Sequence, residues 1–274
     1  MDFLESRLPP VRAWHRFEYN RHFTENTNNA RLFSGCYESF AVAIAAAPKQ
    51  LRFGHDHEEL ADRHTSEIGH IWPSDYPVLF WLKTLIQKDS RVFDLGGATG
   101  LLFYGFQAYM TFGSGLRWTI CEVPSVVRRG RELAQAKGAR GVCFTSDVQE
   151  ASRADIFLAS GSLQFIEPNI WSSLASLDLR PRHLILNRIP LYDGPSFVTL
   201  HNMGKAVCPC HIWNEREFIS HISRLGYDLR DKWDVPEFGC YIPFHPTRSV
   251  KHYAGMYFEA SQRESASEQK VNDK

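Results

Sequence analysis

The chain has 274 residues, of which 43% are hydrophobic and 23% charged, so it can bury a sizeable core as a globular protein. Its 31 basic residues are balanced by 31 acidic ones, which argues against a nucleic acid or other polyanion as the main partner, because phosphate binding needs clustered Lys and Arg. The longest apolar run, Phe40–Ala47, is far shorter than the roughly 20 residues that span a bilayer.

Residues 1–90 read as a mostly helical segment, punctuated by Pro9, Pro10, Pro48, Pro73 and Pro77. Asp2, Glu5 and the two early prolines interrupt any secretory signal core, so the expected setting is cytoplasmic and no membrane is involved. The alanine-rich Phe40–Ala47 predicts a buried helix. Tyr76–Lys88, with Val78, Leu79, Trp81, Leu82, Leu85 and Ile86 apolar, predicts an amphipathic helix leading into the first strand of the next region.

That region, residues 91–260, alternates strands and helices, which implies a parallel sheet with right-handed crossovers. It opens with Arg91–Gly100, an apolar strand ending in Asp94 and followed at once by Gly96, Gly97, Ala98, Thr99 and Gly100. Strand, tight turn and helix together mark the start of a doubly wound α/β domain, whose ligands bind beyond the carboxyl ends of the strands. A dinucleotide fingerprint requires Gly-x-Gly-x-x-Gly. Counting from Gly96 puts Ala98 and Leu101 where glycines are needed, and counting from Gly97 puts Thr99 and Leu102 there. The pattern present, Asp-x-Gly-x-Ala-x-Gly, resembles the first motif of class I S-adenosylmethionine (SAM) dependent methyltransferases.

Arg117–Val123 is a second strand with Glu122 near its end. An acid about 20 residues beyond the glycine turn can accept hydrogen bonds from both hydroxyls of a ribose. NAD and SAM both carry that sugar, so Glu122 and the adjacent Val123 point to a nucleoside without choosing between them. Arg128, Arg129 and Arg131 fall on a helix after Pro124 and read as a solvated face. Val142–Thr145 is a third strand, and Ser146 and Asp147 follow it where an adenine amino group would be met. Ala154–Ser160 is a fourth, running through Ser160 and Gly161 to Gln164.

Glu122-Val123-Pro124, Gly130-Arg131-Glu132-Leu133 and Ser160-Gly161-Ser162-Leu163-Gln164-Phe165 together resemble a bacterial family of inferred SAM-dependent methyltransferases, often found among polysaccharide-biosynthesis genes. The similarity continues through Leu186-Asn187-Arg188-Ile189-Pro190, Phe197-Val198-Thr199-Leu200 and Trp213-Asn214, and covers the chain from about Phe33 to Phe258. It implies a Rossmann-like class I methyltransferase fold: α/β, with a mostly parallel seven-stranded sheet, helices on both faces and an N-terminal helical extension covering the active site. It also implies SAM as cofactor, held by Asp94, Gly96 to Gly100, Glu122, Val123, Ser146, Asp147, Ser160 and Gly161. One departure stands out: the family commonly has glutamine where this chain has His201.

Arg182–Arg188 is the fifth strand. The following Leu191–Trp213 reads as a long loop carrying Tyr192, Asp193, His201, Asn202, Lys205 and His211, and loops of that length are commonly functional. His201 is the first candidate for a general base, since imidazole titrates near neutrality, and the alternative is a hydrogen-bonded structural histidine. Asp193 is a catalytic candidate or simply part of the Asp193-Gly194-Pro195 turn. Gln164 either contacts the acceptor or the cofactor or satisfies its own strand end. Trp72, Tyr76, Tyr104 and Asn202 are candidates for the acceptor pocket, and some of these aromatics are equally suited to the core.

Asn214 and Gly226 cap and stop a helix over residues 214–225. Tyr227–Trp233 and Tyr253–Ala260 would form a closing antiparallel pair, and Ser261–Lys274 reads as a disordered polar tail. No internal repeat is evident. The six cysteines read as reduced, with Cys121 and Cys143 in buried strands. Cys208-Pro209-Cys210-His211 lacks a second ligand pair of zinc-like spacing, so no metal is expected.

The leading reading is a methyltransferase acting on an oxygen or nitrogen of a small-molecule or glycan-related acceptor. Its alternatives are a SAM-using enzyme that cyclises the cofactor with release of methylthioadenosine, a non-catalytic nucleoside-binding module, and an NAD oxidoreductase, which the glycine spacing disfavours.

Overall fold

The fold comes from a computed structural model that describes residues 9–25, 31–167, 170–204 and 206–261. The expected tail beyond Ser261 and the expected loop residue Lys205 lie outside the described residues.

The N-terminal segment holds α1 (Pro9–Glu25), β1 (Leu32–Tyr37), α2 (Phe40–Ala46), α3 (Glu58–Ser66) and α4 (Asp75–Leu85). Among its described residues four of the five elements are helices, and the pattern does not reveal the one strand. Ser39 caps α2 by accepting from the Val42 N–H, and Phe40 and Ala43 are its buried face. In α4 the apolar stripe Val78, Leu79 and Leu82 is buried, and the helix ends where Ile86 turns extended.

There follow β2 (Arg91–Leu95), α5 (Leu101–Phe106), β3 (Arg117–Cys121), α6 (Pro124–Ala136), β4 (Val142–Thr145) and β5 (Ile156–Ser160). Pro124 sits at the start of α6, where its missing N–H costs nothing. Gly130 lets α6 lie close on β4, because a Cβ there would run into the Phe144 ring. Next come α7 (Ile170–Ala175), β6 (His183–Ile189), β7 (Leu191–Tyr192), β8 (Phe197–Asn202), β9 (Val207–Asn214), α8 (Glu215–Arg224), β10 (Tyr227–Val235) and β11 (Tyr253–Ala260). Asn214 caps α8 through the Glu217 N–H, and Gly226 ends it with φ +88°, both as expected.

Seven strands form one sheet in the order β10-β11-β6-β5-β2-β3-β4. The five strands from β6 to β4 are parallel, and β11 runs antiparallel to both β6 and β10. Strand order reverses between β2 and β5, and in such sheets this switch point opens the ligand crevice. One face packs Phe93, Phe157, Leu184 and Phe258 against Trp171 of α7 and Phe218 and Ile222 of α8. The other packs Ile120, Leu158 and Ile185 against Val78 and Leu82 of α4 and Phe103 and Phe106 of α5.

Residues 191–213 are not a loop. They contribute β7, β8 and β9 to a second sheet in the order β1-β8-β9-β7. Strand β8 pairs with β1 through Leu32–Asn202 and Phe33–His201, and with β9 through His201–Cys208. Pro209 hides the strand character of β9. It is tolerated because β7 reaches only Trp213 and Asn214, which leaves the open side of β9 without a ladder partner at Pro209.

Two smaller expectations also change. Cys143 is exposed because β4 is an edge strand, whereas Cys121, Cys208 and Cys210 are buried thiols. The basic face of α6 is not simply solvated: Arg128 pairs with Glu58 and Arg129 with Asp62, both of α3, while Arg131 donates to the Phe144 carbonyl. Among the described residues no helix is long and apolar enough to cross a membrane.

Candidate functional site

The turn after β2 is built by three residues in the left-handed region: Gly96 at φ +72°, Ala98 at +54° and Gly100 at +103°. Such a backbone suits glycine and costs an alanine about 1–2 kcal/mol. Ala98 is held there by its N–H, which donates to Glu122 Oε1 at 3.1 Å. Glu122 Oε2 accepts from the Val123 N–H at 3.0 Å. The acid at the end of β3 and the turn at the end of β2 are thus one unit. Burial raises the Glu122 pKa, against the two N–H groups that lower it.

Asp94 lies beneath the turn, only 1% exposed. Trp118 Nε1 donates to its Oδ2 at 3.0 Å, and Oδ1 has no partner. A Cβ at Gly97 would collide with this carboxyl. Burial pushes the Asp94 pKa up to about 7, Trp118 opposes the rise and Glu122 adds to it. Thr99 is fully buried, with its hydroxyl unpartnered.

Across the switch point, Ser162 donates to the Leu95 carbonyl and tethers the end of β5 to that of β2. Ser160 Oγ accepts from Asn187 Nδ2 at 3.0 Å, and the Gly161 N–H donates to the Asn187 carbonyl. Gln164, on the short 3-10 helix Leu163–Phe165, is buried. Its Nε2 donates to the Gly161 carbonyl at 3.0 Å, and its Oε1 is left without a partner. Ser146 and Asp147 are exposed beyond β4. Ser146 donates to the Glu122 carbonyl at 2.8 Å, and Asp147 caps the 3-10 helix Val148–Ala151. An open groove of about 560 Å³ runs beside Ser146 along α6, lined also by Pro124, Val127 and Arg131.

The structure therefore brings Asp94, Gly96 to Gly100, Glu122, Val123, Ser146, Asp147, Ser160, Gly161 and Gln164 to the carboxyl ends of adjacent strands. Tyr104 joins them: its ring lies against Gly100, where a Cβ would come within 2.8 Å, and its buried hydroxyl is unpartnered.

The remaining candidates divide. His201 is on β8, 7% exposed, stacked on Phe33 at 4.5 Å and 9° and on Phe165 at 5.6 Å and 14°. Neither ring nitrogen has a partner. Burial, with Arg31, His55 and Arg63 nearby, pushes its pKa down to about 3. That setting does not suit a general base working near neutrality, nor is His201 the hydrogen-bonded structural residue of the alternative reading. Asp193 is exposed in the turn between β7 and β8. Asn202 is tied to backbone, donating to the Phe23 carbonyl and accepting from the Gly204 N–H, so its amide serves the β8–β9 turn rather than a pocket. Tyr76 is half exposed and meets Tyr109 edge-on. Trp72 is edge-on to Phe238 at 5.6 Å.

The sequence reading missed Arg31, His55, Arg188 and Phe238. Arg188, at the end of β6 with φ +60°, donates to Asp75 Oδ1 at 2.7 Å and to Ser74 Oγ. A charged residue ending a buried parallel strand was the available signal. Residues 53–56 cross between the two sheets: Gly54 donates to the Val207 carbonyl of β9, His55 meets Phe165 edge-on at 4.8 Å, and Asp56 accepts from Ser125 at the start of α6.

No family model matches the chain, and no curated protein matches it. Solved structures do. A chain from the complex containing the Haloferax volcanii Trm112 methyltransferase activator is 12% identical, over 76% of this chain and 97% of that one, with a TM-score of 0.53. The 1,6-didemethyltoxoflavin-N1-methyltransferase of Burkholderia thailandensis is 20% identical, over 78% and 94%, at 0.49. A SAM-dependent methyltransferase from Methanosarcina mazei is 12% identical, over 70% and 99%, at 0.49. At these identities the likeness is one of fold. The first of these structures, together with the strand order, identifies the architecture as the Rossmann-like class I methyltransferase fold.

Proposed function

We propose that the chain is a SAM-dependent methyltransferase acting on an oxygen or nitrogen of a small-molecule or glycan-related acceptor. The observation that carries this reading is the Glu122 carboxylate, joined to the glycine turn at the crevice of the switch point. A carboxylate has about four acceptor sites. Two hold the Ala98 and Val123 N–H groups, which leaves two for the vicinal hydroxyls of a ribose. The unpartnered buried oxygens of Asp94, Thr99 and Gln164 fit the same conclusion, since buried polar atoms are rarely left unsatisfied without a ligand or water to meet them.

On this reading Glu122 grips the sugar, Ser146 and Asp147 flank the adenine, and Gly96 to Gly100 with Ser160 and Gly161 line the amino-acid end. When bound, SAM supplies an electrophilic methyl group on a sulfonium. The N-terminal segment and the second sheet cover the acceptor, excluding water and aligning the nucleophile. Much of the rate then comes from proximity, because no side chain with a near-neutral histidine pKa faces the crevice from β8. The test is product analysis after incubation with SAM and pools of hydroxylated or amine acceptors. S-adenosylhomocysteine formed only with an acceptor supports the reading. Methylthioadenosine without an acceptor, or no turnover by a protein that binds SAM, overturns methyl transfer.

A further inference from the structure

Beyond the end of β5 the crevice wall is cationic and aromatic. The Arg188 side chain lies beside Gly161, where an added Cβ would come 3.4 Å from it. The Arg188 guanidinium lies 4.8 Å from the Phe238 ring centroid, and that of Arg31 lies 3.9 Å from it. Phe165, one residue beyond Gln164, stacks on His201, whose ladder neighbour Phe33 is two residues from Arg31. Arg31 and Arg63 are electrostatic neighbours of His201, and Arg188 shares the Phe238 ring with Arg31.

The charges there are not equally matched. Arg188 has Asp75, with Glu237 nearby, and Arg63 has Glu67 at 3.1 Å. Arg31 makes no ion pair among the described residues. A guanidinium stacked on a ring keeps its N–H edge free for a planar acceptor. Arg31 is exposed, so this edge is open to a ligand; partial burial of the guanidinium, with Arg188 and Arg63, lowers its pKa against Tyr253 and Glu67, which raise it. His201 adds a second, independent sign: a deeply buried imidazole with both nitrogens unpartnered, where buried polar atoms are rarely left unsatisfied.

We propose that the acceptor carries a carboxylate, received by the free edge of the Arg31 guanidinium beside His201, with Phe238 and Phe165 flanking the body of the molecule. This rests on the nucleoside site proposed above, and it adds the acceptor's charge class. Aromatic acids and uronic acids share the chemistry, so both are used as probes.

The experiment is calorimetric titration of the protein, with and without S-adenosylhomocysteine, using para-hydroxybenzoate and glucuronate against their uncharged counterparts para-hydroxybenzamide and glucose. At least one carboxylate should bind at least about tenfold more tightly than its neutral partner, as expected for a charged hydrogen bond. Arg31→Gln should abolish that preference and Arg31→Lys retain part of it, with S-adenosylhomocysteine affinity unchanged in both. A carboxylate preference that survives Arg31→Gln, equal binding of charged and neutral probes, or no carboxylate binding up to millimolar concentration overturns the proposal. Failure of S-adenosylhomocysteine to bind overturns the nucleoside reading instead, and the titrations without it still judge the carboxylate.

Discussion

Asp94→Asn is the perturbation that separates burial of an acid from a merely polar contact beneath the glycine turn. The carboxyl is 1% exposed and burial raises its pKa from 3.8 to about 7. The sign follows from proton counts. Between pH 4 and 7 the unfolded chain has released this proton and the folded chain keeps it, so folding stability falls as pH rises across that window. At about 1.4 kcal/mol per pH unit the loss amounts to roughly 4 kcal/mol. Asparagine keeps an acceptor for Trp118 Nε1 and has no proton to lose, so the variant should lack this slope. Urea unfolding of both proteins at steps from pH 4 to 8 measures it, and the difference between the two profiles cancels the other titrating groups. The account expects the variant to gain about 2–4 kcal/mol on the wild type between pH 4 and 8. Parallel profiles would refute the argument that Asp94 is held neutral by burial.

Other consequences are as direct. His201, with its pKa pushed down to about 3, should stay neutral to pH 5 by two-dimensional NMR, and a midpoint near 6.5 would restore it as a base candidate. Removing Arg188 leaves a buried carboxyl at Asp75, so Arg188→Gln should cost about 3–5 kcal/mol in urea unfolding. The double variant with Asp75→Asn should recover part of that loss, and full additivity would contradict the pairing. Gly130→Ala should destabilise by about 1–3 kcal/mol through contact with Phe144, so an unchanged midpoint would deny the close approach of α6 to β4.

The parts of the fold legible in the sequence are those coded by near neighbours in the chain. β2, the glycine turn and α5 follow one another, so apolar run, glycines and apolar periodicity report them directly. Glu122 is legible because the βα unit fixes how far along the chain the next strand ends. The antiparallel β10–β11 pair and the Asn214 and Gly226 boundaries of α8 are local for the same reason. The second sheet is not local: it pairs Leu32 with Asn202, and Pro209 interrupts the pattern of β9. His201 reads as an accessible base in a loop, yet its chemistry is set by Phe33, Phe165, His55 and Arg31, contributed by three separate stretches of chain. The Arg31–Phe238–Arg188 wall is hidden likewise, since three distant stretches form it and only Arg188, a charge ending a buried strand, leaves a local trace.

Calorimetric titration with SAM, S-adenosylhomocysteine and NAD, on the wild type and on Glu122→Ala, tests the nucleoside site most directly. The account predicts that the first two bind, that NAD does not, and that the substitution weakens binding more than about tenfold as charged hydrogen bonds to the ribose are lost. Tight NAD binding, or equal SAM affinity in both proteins, would contradict it.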